Sequence, residues 1–364
     1  MTDAPTADAG SDPDDPGTAE TPDVPRGIDA SGVTRWFVEH AANVEPPLSF
    51  DLIAGGRSNL TYRVTDTAGH AWVLRRPPLG QVLATAHDMG REHRIISSLA
   101  ATDVPVAPVV GLCTDETVNG APFYVMGFVD GLVARNAEAA SVLDPSARAR
   151  AGDQLADVLA RIHAVDPDAV GLGDLGRKEG YVERQLKRWY GQWQKSKTRD
   201  LPVVDEVHAT LAARVPEQGP AAIVHGDYRL DNCLLAPDGT IAAVLDWELC
   251  TLGDPLADVG LLLVYWTEPG DNHPALIDAS TTLPGFPSRA ELIARYADAS
   301  GRDVSDVGFF VAFGYWKLAC ILEGVYARYK GGVMDTTSGF EGFAAQVEIL
   351  AEAARATVAD LPAS

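Results

Sequence analysis

The 364-residue sequence predicts an α+β protein of two lobes: a small antiparallel β-sheet with one helix, then a large, mainly helical lobe. Three observations predict it. Between residues 48 and 129, short apolar runs alternate with turns rich in Gly, Asp and Pro, as strands do. From Ser146 onward, apolar residues recur three and four apart nearly to the end, as on amphipathic helices. Inside that helical region, two short apolar runs at 222–224 and 242–245 bracket a polar loop.

Each element follows in order. Residues 1–25 hold seven acidic residues and no basic one. Such a segment buries too little apolar surface to offset its ordering entropy, so residues 1–26 are expected to form a disordered acidic tail. Asp29 or Ser31 can cap a helix with Val33, Trp36, Phe37 and His40 on one face, ended by Pro46-Pro47. Runs at 48–53, 60–65 and 71–75, split by Gly55-Gly56 and the turn at 66–69, read as an antiparallel meander closed by Pro77-Pro78. A helix over about 86–101 carries Glu92 with Ile95, Ile96 and Leu99. Strands at 109–114 and 123–128 flank an Asn119-Gly120 turn. Asp130-Gly131 marks the boundary between lobes at 27–129 and 130–364. Leu155, Leu159 and Ile162 open the helical lobe, and helices follow at 181–195, 203–215, 256–266, 290–299, 306–329 and 338–358. Asp254-Pro255 is a helix start, with Asp as N-cap and Pro in the first turn.

Composition narrows the function. Apolar residues at 46% and charged residues at 22% are ordinary for a globular chain. No apolar run approaches the ~20 residues of a spanning helix, the longest being 259–266, and the N-terminus lacks a basic and apolar leader. A cytoplasmic protein is expected. The net charge of −22 argues against nucleic-acid and membrane-surface partners, and seven of those units belong to the tail. Cys113, Cys233, Cys250 and Cys320 stand far apart without a C-x-x-C pair, as buried thiols do. Lysine is scarce: six occur, none before Lys178.

The chemistry concentrates in His225-Gly226-Asp227-Tyr228-Arg229-Leu230-Asp231-Asn232. Fourteen residues on, Asp246 ends the second short strand. Phosphoryl transfer needs one carboxylate at the acceptor hydroxyl, and an Asn with a second carboxylate to hold Mg²⁺ on the nucleotide phosphates. Asp227 and Asn232, with four residues between them, reproduce the spacing of a kinase catalytic loop.

With these residues the chain resembles the aminoglycoside phosphotransferase/choline kinase family, a branch of the bilobal protein-kinase-like fold. Within it, the chain is most similar to bacterial phosphotransferases resembling the kinase domain of acyl-CoA dehydrogenase fusions. The resemblance runs from about residue 48 to 330. Ile53–Tyr62 resembles the nucleotide loop, 73–78 the third strand, Arg91-Glu92 the start of the helix with the ion-pairing Glu, and 124–128 the hinge. The resemblance implies that Asp227 is the catalytic carboxylate and that Asn232 and Asp246 are Mg²⁺ ligands. Gly55, Gly56, Ser58, Asn59, Arg75, Glu92 and backbone atoms of Met126 and Phe128 would bind ATP, with GTP not excluded. His225 and Gly226 would shape the loop, and Asp258 would brace it.

Two features depart from protein kinases. Gly55-Gly56-Arg57-Ser58-Asn59 is not G-x-G-x-x-G, although adjacent glycines still allow a tight turn with amides aimed at phosphate. The phosphate-gripping lysine is replaced by Arg75, whose guanidinium can grip phosphate and pair with Glu92, while Arg76 faces the other way. The Asp-Phe-Gly and Ala-Pro-Glu landmarks of protein kinases are absent. A nucleotide-binding pseudokinase is the competing reading, supported only by Arg75.

For the acceptor, residues 177–200 carry eight basic and three acidic residues, with Trp189, Tyr190 and Trp193 among them. This is either an amphipathic helix with a solvated face or part of a site for an anionic acceptor, such as a phosphate- or CoA-bearing hydroxy compound. Arg188, Lys317, Glu323 and Arg328 are the candidate acceptor contacts.

Overall fold

The structure, a computed structural model, describes residues 24–55, 59–79, 88–271, 279–331 and 341–362. Most of the predicted acidic tail, and the expected nucleotide-loop residues Gly56 and Ser58, lie outside them. Helix α1 (Ala30–His40) starts where Asp29 accepts the Gly32 N–H at 2.8 Å. Strands β1 (Ser49–Gly55), β2 (Leu60–Thr65) and β3 (Ala71–Arg76) form the expected meander. Helix α2 (Met89–Leu99), β4 (Val109–Cys113), the one-turn α3 (Glu116–Asn119) and β5 (Phe123–Gly127) follow. The five strands are ordered β1-β2-β3-β5-β4, so β5 enters the middle and leaves β4 at the edge. The supposed Asn119-Gly120 turn is instead the end of α3, where Gly120 takes a left-handed conformation.

Strand periodicity decides the two faces of this sheet. Trp72, Leu74, Phe123 and Val125 pack with Val33, Trp36 and Phe37 of α1. Val73, Tyr124 and Met126 face the opposite way, into the core shared with α2 and the helical lobe. Arg75 therefore points toward α2. Arg76 points toward α1 and donates to Gly27 O and, at 3.1 Å, to Asn119 O.

The second lobe comprises α4 (Ala137–Ala140), α5 (Pro145–Ala164), α6 (Tyr181–Ser196), α7 (Pro202–Ala213), β6 (Ala222–Val224), β7 (Cys233–Leu235), β8 (Ile241–Val244), β9 (Thr251–Gly253), α8 (Leu256–Tyr265), α9 (Arg289–Ser300), α10 (Val307–Lys330) and α11 (Glu341–Ala359). The two foreseen strands do not pair with each other. β6 pairs with β9, and β7 pairs with β8. Helix α8 begins at Leu256 as expected, with Pro255 at its cap rather than in its first turn, while Asp254 accepts the Leu256 N–H at 3.0 Å.

Among the described residues α10, not the shorter 259–266 run, is by length and composition the helix apolar enough to cross a membrane, with a mean hydropathy of 1.3. Its Phe310, Phe313, Trp316 and Cys320 are buried in the lobe core. It crosses α8 closely: a Cβ on Gly260 would stand 2.4 Å from the Phe310 carbonyl carbon. All four cysteines are free and buried.

Candidate active site

Two short ribbons present the catalytic loop. β6 ends at Val224, and His225 opens the loop fully buried. Its backbone N–H donates to Asp258 Oδ2 at 2.6 Å, and the Gly226 N–H donates to Asp258 Oδ1 at 2.8 Å. His225 Nε2 lies 2.8 Å from Leu245 O, a carbonyl that can only accept. The imidazole therefore carries its proton on Nε2, and Nδ1 accepts the Asp227 N–H at 3.3 Å. Gly226 has φ +87°, and a Cβ there would stand 2.9 Å from Leu249 O, so the bend admits only glycine. Asp258, on α8, thus braces the loop. Burial pushes its carboxyl up. The hydrogen bond from His163, the adjoining His163 and His225 imidazoles and the Gly226 N–H more than offset that, leaving it below the ordinary range.

Asp227 and Asn232 meet at the far end of the loop. Asn232 Nδ2 donates to Asp227 O at 2.8 Å and to Asp227 Oδ2 at 3.0 Å. The Leu245 N–H donates to Asn232 O at 2.8 Å, which continues the β7–β8 ribbon and sets Asp246 beside Asn232. Asp246 adopts φ +63° and ψ 61°, a left-handed conformation unusual outside glycine. Asn232 Oδ1 and Asp246 Oδ2 accept no hydrogen bond among the described residues. Burial pushes the Asp227 carboxyl above its ordinary value, against the opposing charge of Arg229.

Arg75 joins the lobes. Its Nε lies 3.1 Å from Glu92 Oε2, its Nη2 donates to Asp246 Oδ1 at 2.7 Å, and Glu248 is 3.6 Å away. Glu92 is buried and also accepts from Tyr124 OH at 2.9 Å and Asn59 Nδ2 at 3.0 Å. Asn59, expected at the phosphates, instead directs its amide to Glu92 and, at 3.3 Å, to Glu248. Gly55 closes β1 opposite Leu60. At the expected hinge, Met126 is paired within the sheet, and the Phe128 N–H already donates to Ala71 O at 3.2 Å. The Phe128 N–H is therefore taken up by the sheet.

The four acceptor candidates separate. Lys317 lies within electrostatic reach of Asp227, Asp258 and Arg188. Glu323 does not face the site: it is fully buried and accepts from Thr198 N–H at 2.6 Å, Thr198 Oγ1 at 2.8 Å and Arg199 Nη1 at 3.0 Å. Arg328 is exposed in the last turn of α10, roughly 16 Å along the helix from Lys317 at 1.5 Å per residue. Both are withdrawn as acceptor contacts.

Sequence reasoning passed over Arg229 and Arg91. Arg229 Nε lies 3.1 Å from Asp231 Oδ1 and 3.5 Å from Asp227 Oδ2, with its guanidinium 4.7 Å from the Tyr265 ring. Arg91 donates to Glu248 O at 3.2 Å and to Cys250 O, fastening α2 to the segment after Asp246. Alternation of charge within the loop was the only available signal for Arg229.

Comparison with known proteins agrees with this geometry. Residues 49–301 match the family described as phosphotransferase enzyme family. Acyl-CoA dehydrogenase family member 10 of Mus musculus is 36% identical over 298 residues, 80% of this chain and 27% of that protein. The chain thus spans about a quarter of that relative's length. A solved structure from Ralstonia eutropha JMP134, described provisionally as an aminoglycoside phosphotransferase, superposes with a TM-score of 0.79 at 31% identity, covering 92% of this chain and 100% of that one. The GDP complex of aminoglycoside 2′-phosphotransferase-IIIa shares the fold, with a TM-score of 0.59 at 15% identity over 90% and 99% of the two chains. The match spans most of the folded length and includes the catalytic loop, both ribbons and α8. The chain belongs to the phosphotransferase enzyme family.

Proposed function

We propose that this protein transfers the γ-phosphoryl group of ATP to a hydroxyl of a small molecule, in a Mg²⁺-dependent reaction. The observation that carries this reading is the convergence of Asp227, Asn232 and Asp246 at the ends of two ribbons, with Arg75 reaching them from the sheet. The residues fit a Mg²⁺ ion: Asn232 Oδ1 and Asp246 Oδ2 are oxygen donors left open, and Mg²⁺ binds through one or two protein oxygens with phosphate and water completing its shell. When bound, the ion neutralises charge on the phosphates. Asp227 accepts and orients the acceptor hydroxyl, and Asn232 holds that carboxylate in place. His225, Gly226 and Asp258 fix the loop, so catalysis is positioning and electrostatics.

Residues 27–129 serve as the nucleotide lobe and 130–364 as the catalytic and acceptor lobe. A cytoplasmic location fits the nucleotide supply and the free thiols. GTP is an alternative donor, in keeping with the GDP-bound neighbour.

The test is ADP or GDP release across a panel of hydroxylated compounds. Asp227→Asn should lower kcat by at least about a thousandfold, with nucleotide binding retained. Nucleotide binding without turnover on any acceptor would favour a pseudokinase instead.

A further inference from the structure

Among the buried or half-buried cations, Arg75, Arg199, Arg229 and Arg289 each hold a carboxylate, and Arg76, Arg91, Arg148 and Arg302 hold backbone carbonyls. Lys317 and Arg188 do not. Neither makes an ion pair or a hydrogen bond among the described residues. Both lie instead against one indole, with Arg188 Cζ 4.9 Å and Lys317 Nζ 5.8 Å from the Trp189 ring. Gln185 Oε1 accepts the Trp189 Nε1–H at 2.8 Å and fixes that ring. Arg188 is exposed at the rim, while Lys317 sits deeper, on the stretch of α10 that packs against α6. Arg184, Lys187 and Lys195 line an open groove that continues from Arg188 along α6.

Burial pulls the Lys317 ammonium below the ordinary lysine range. Asp258 and Asp227 oppose the shift, and Arg188 adds to it. A desolvated ammonium beside a second cation is unfavourable until an anion joins them. In a chain of net charge −22, carboxylates are abundant, yet none is folded onto this pair.

We propose that Lys317 and Arg188 clamp the anionic group of the acceptor, so that the substrate is a hydroxy compound bearing a carboxylate or phosphate. The proposal rests on the phosphotransferase reading. It sets this protein apart from enzymes whose acceptors are polycationic sugars, which two unpaired cations would repel. Trp189 holds both side chains at the height of the anion, and the hydroxyl end then extends toward Asp227.

Four matched acceptor series test it: ω-hydroxy carboxylates, ω-hydroxyalkyl phosphates, diols and amino alcohols, each from three to six carbons. The readout is ADP release by the 364-residue chain. At least one anionic series should exceed the diols tenfold or more in kcat/KM, with amino alcohols lowest. The better anionic series identifies the anion. Lys317→Met should collapse the anionic-to-diol ratio at least tenfold, chiefly through KM, and Lys317→Arg should restore most of it. A preference for diols or amino alcohols overturns the proposal, as does an equal loss on all series in Lys317→Met.

Should no series be turned over, calorimetric titration of the same compounds, with a non-hydrolysable ATP analogue and Mg²⁺ present, separates the two ideas. Anion binding that Lys317→Met weakens tenfold upholds the clamp and rejects the transferase reading. Failure of both anionic series to bind rejects the clamp.

Discussion

Arg75 does what a lysine could not do with one atom. Its Nε faces Glu92 while its Nη2 reaches Asp246. A guanidinium spans two carboxylates because its donors are spread over a rigid fork, whereas an ammonium is a single point of charge. Arg75→Lys should therefore release one of the two acids. The expected result is a loss of about tenfold or more in kcat/KM for ATP, roughly 1.4 kcal/mol or more, measured at saturating acceptor. An unchanged value would mean that the fork is dispensable. Residues at this scale were legible where chemistry is local in sequence. Asp227 and Asn232 lie on one tight loop, so their spacing alone brought them together. Glu323 was misread because helical spacing names a face and not the partner on it, here Thr198 and Arg199. The contact of Asn59 to Glu248 was not legible for a related reason: it joins residues far apart in the chain, and no local pattern encodes it.

At the scale of elements, long helices were legible because many turns repeat the same apolar stripe. β7 and β9 were not: three residues are too few to display a period of two, and β6, equally short, was foreseen only as an apolar run at 222–224. The left-handed turn at Asp246 carried no warning either, since glycine usually marks such places. One close junction is that of α8 and α10. Gly260 faces Phe310, and a Cβ on Gly314 would stand 3.0 Å from Val264 Cγ2, so the two helix backbones approach through their glycines. Gly260→Ala would force them apart. Overpacking of this kind typically costs about 1–3 kcal/mol. Because α8 carries Asp258 and α10 carries Lys317, the shift should also disturb catalysis. The expected result is a lower Tm together with a reduced kcat, whereas a Tm equal to that of the native chain would show that the helices can yield.

The whole molecule was legible as two lobes, since a strand-rich and a helix-rich stretch follow each other in the chain. The fastening between them was not, since Arg75, Arg91 and Asn59 cross from one lobe to the other. Protonation acts on the whole fold as well. Burial holds His93, His163 and His208 below the ordinary histidine value of 6.5. The unfolded chain therefore takes up protons first as pH falls through 6.5. Stability is fully present above that value and declines below it, until the folded histidines also titrate. Buried carboxyls such as Glu92 and Asp227, pushed upward, act in the opposite sense. His163 is the most deeply buried of the three histidines, and its share is at most about 1.4 kcal/mol per pH unit. Urea midpoints between pH 7.5 and 5.5 should fall less steeply in His163→Gln than in the native chain. Parallel profiles would show that His163 contributes no such slope.

The four buried thiols give the molecule a set of internal clocks. Burial holds each of them in its unreactive neutral form, and they sit in different parts of the fold: Cys113 at the sheet edge, Cys233 and Cys250 beside the catalytic loop, and Cys320 within α10. A thiol reagent reaches one only when the surrounding segment opens. The order in which the four are modified is thus the order in which the fold comes apart, readable without attaching any label beforehand.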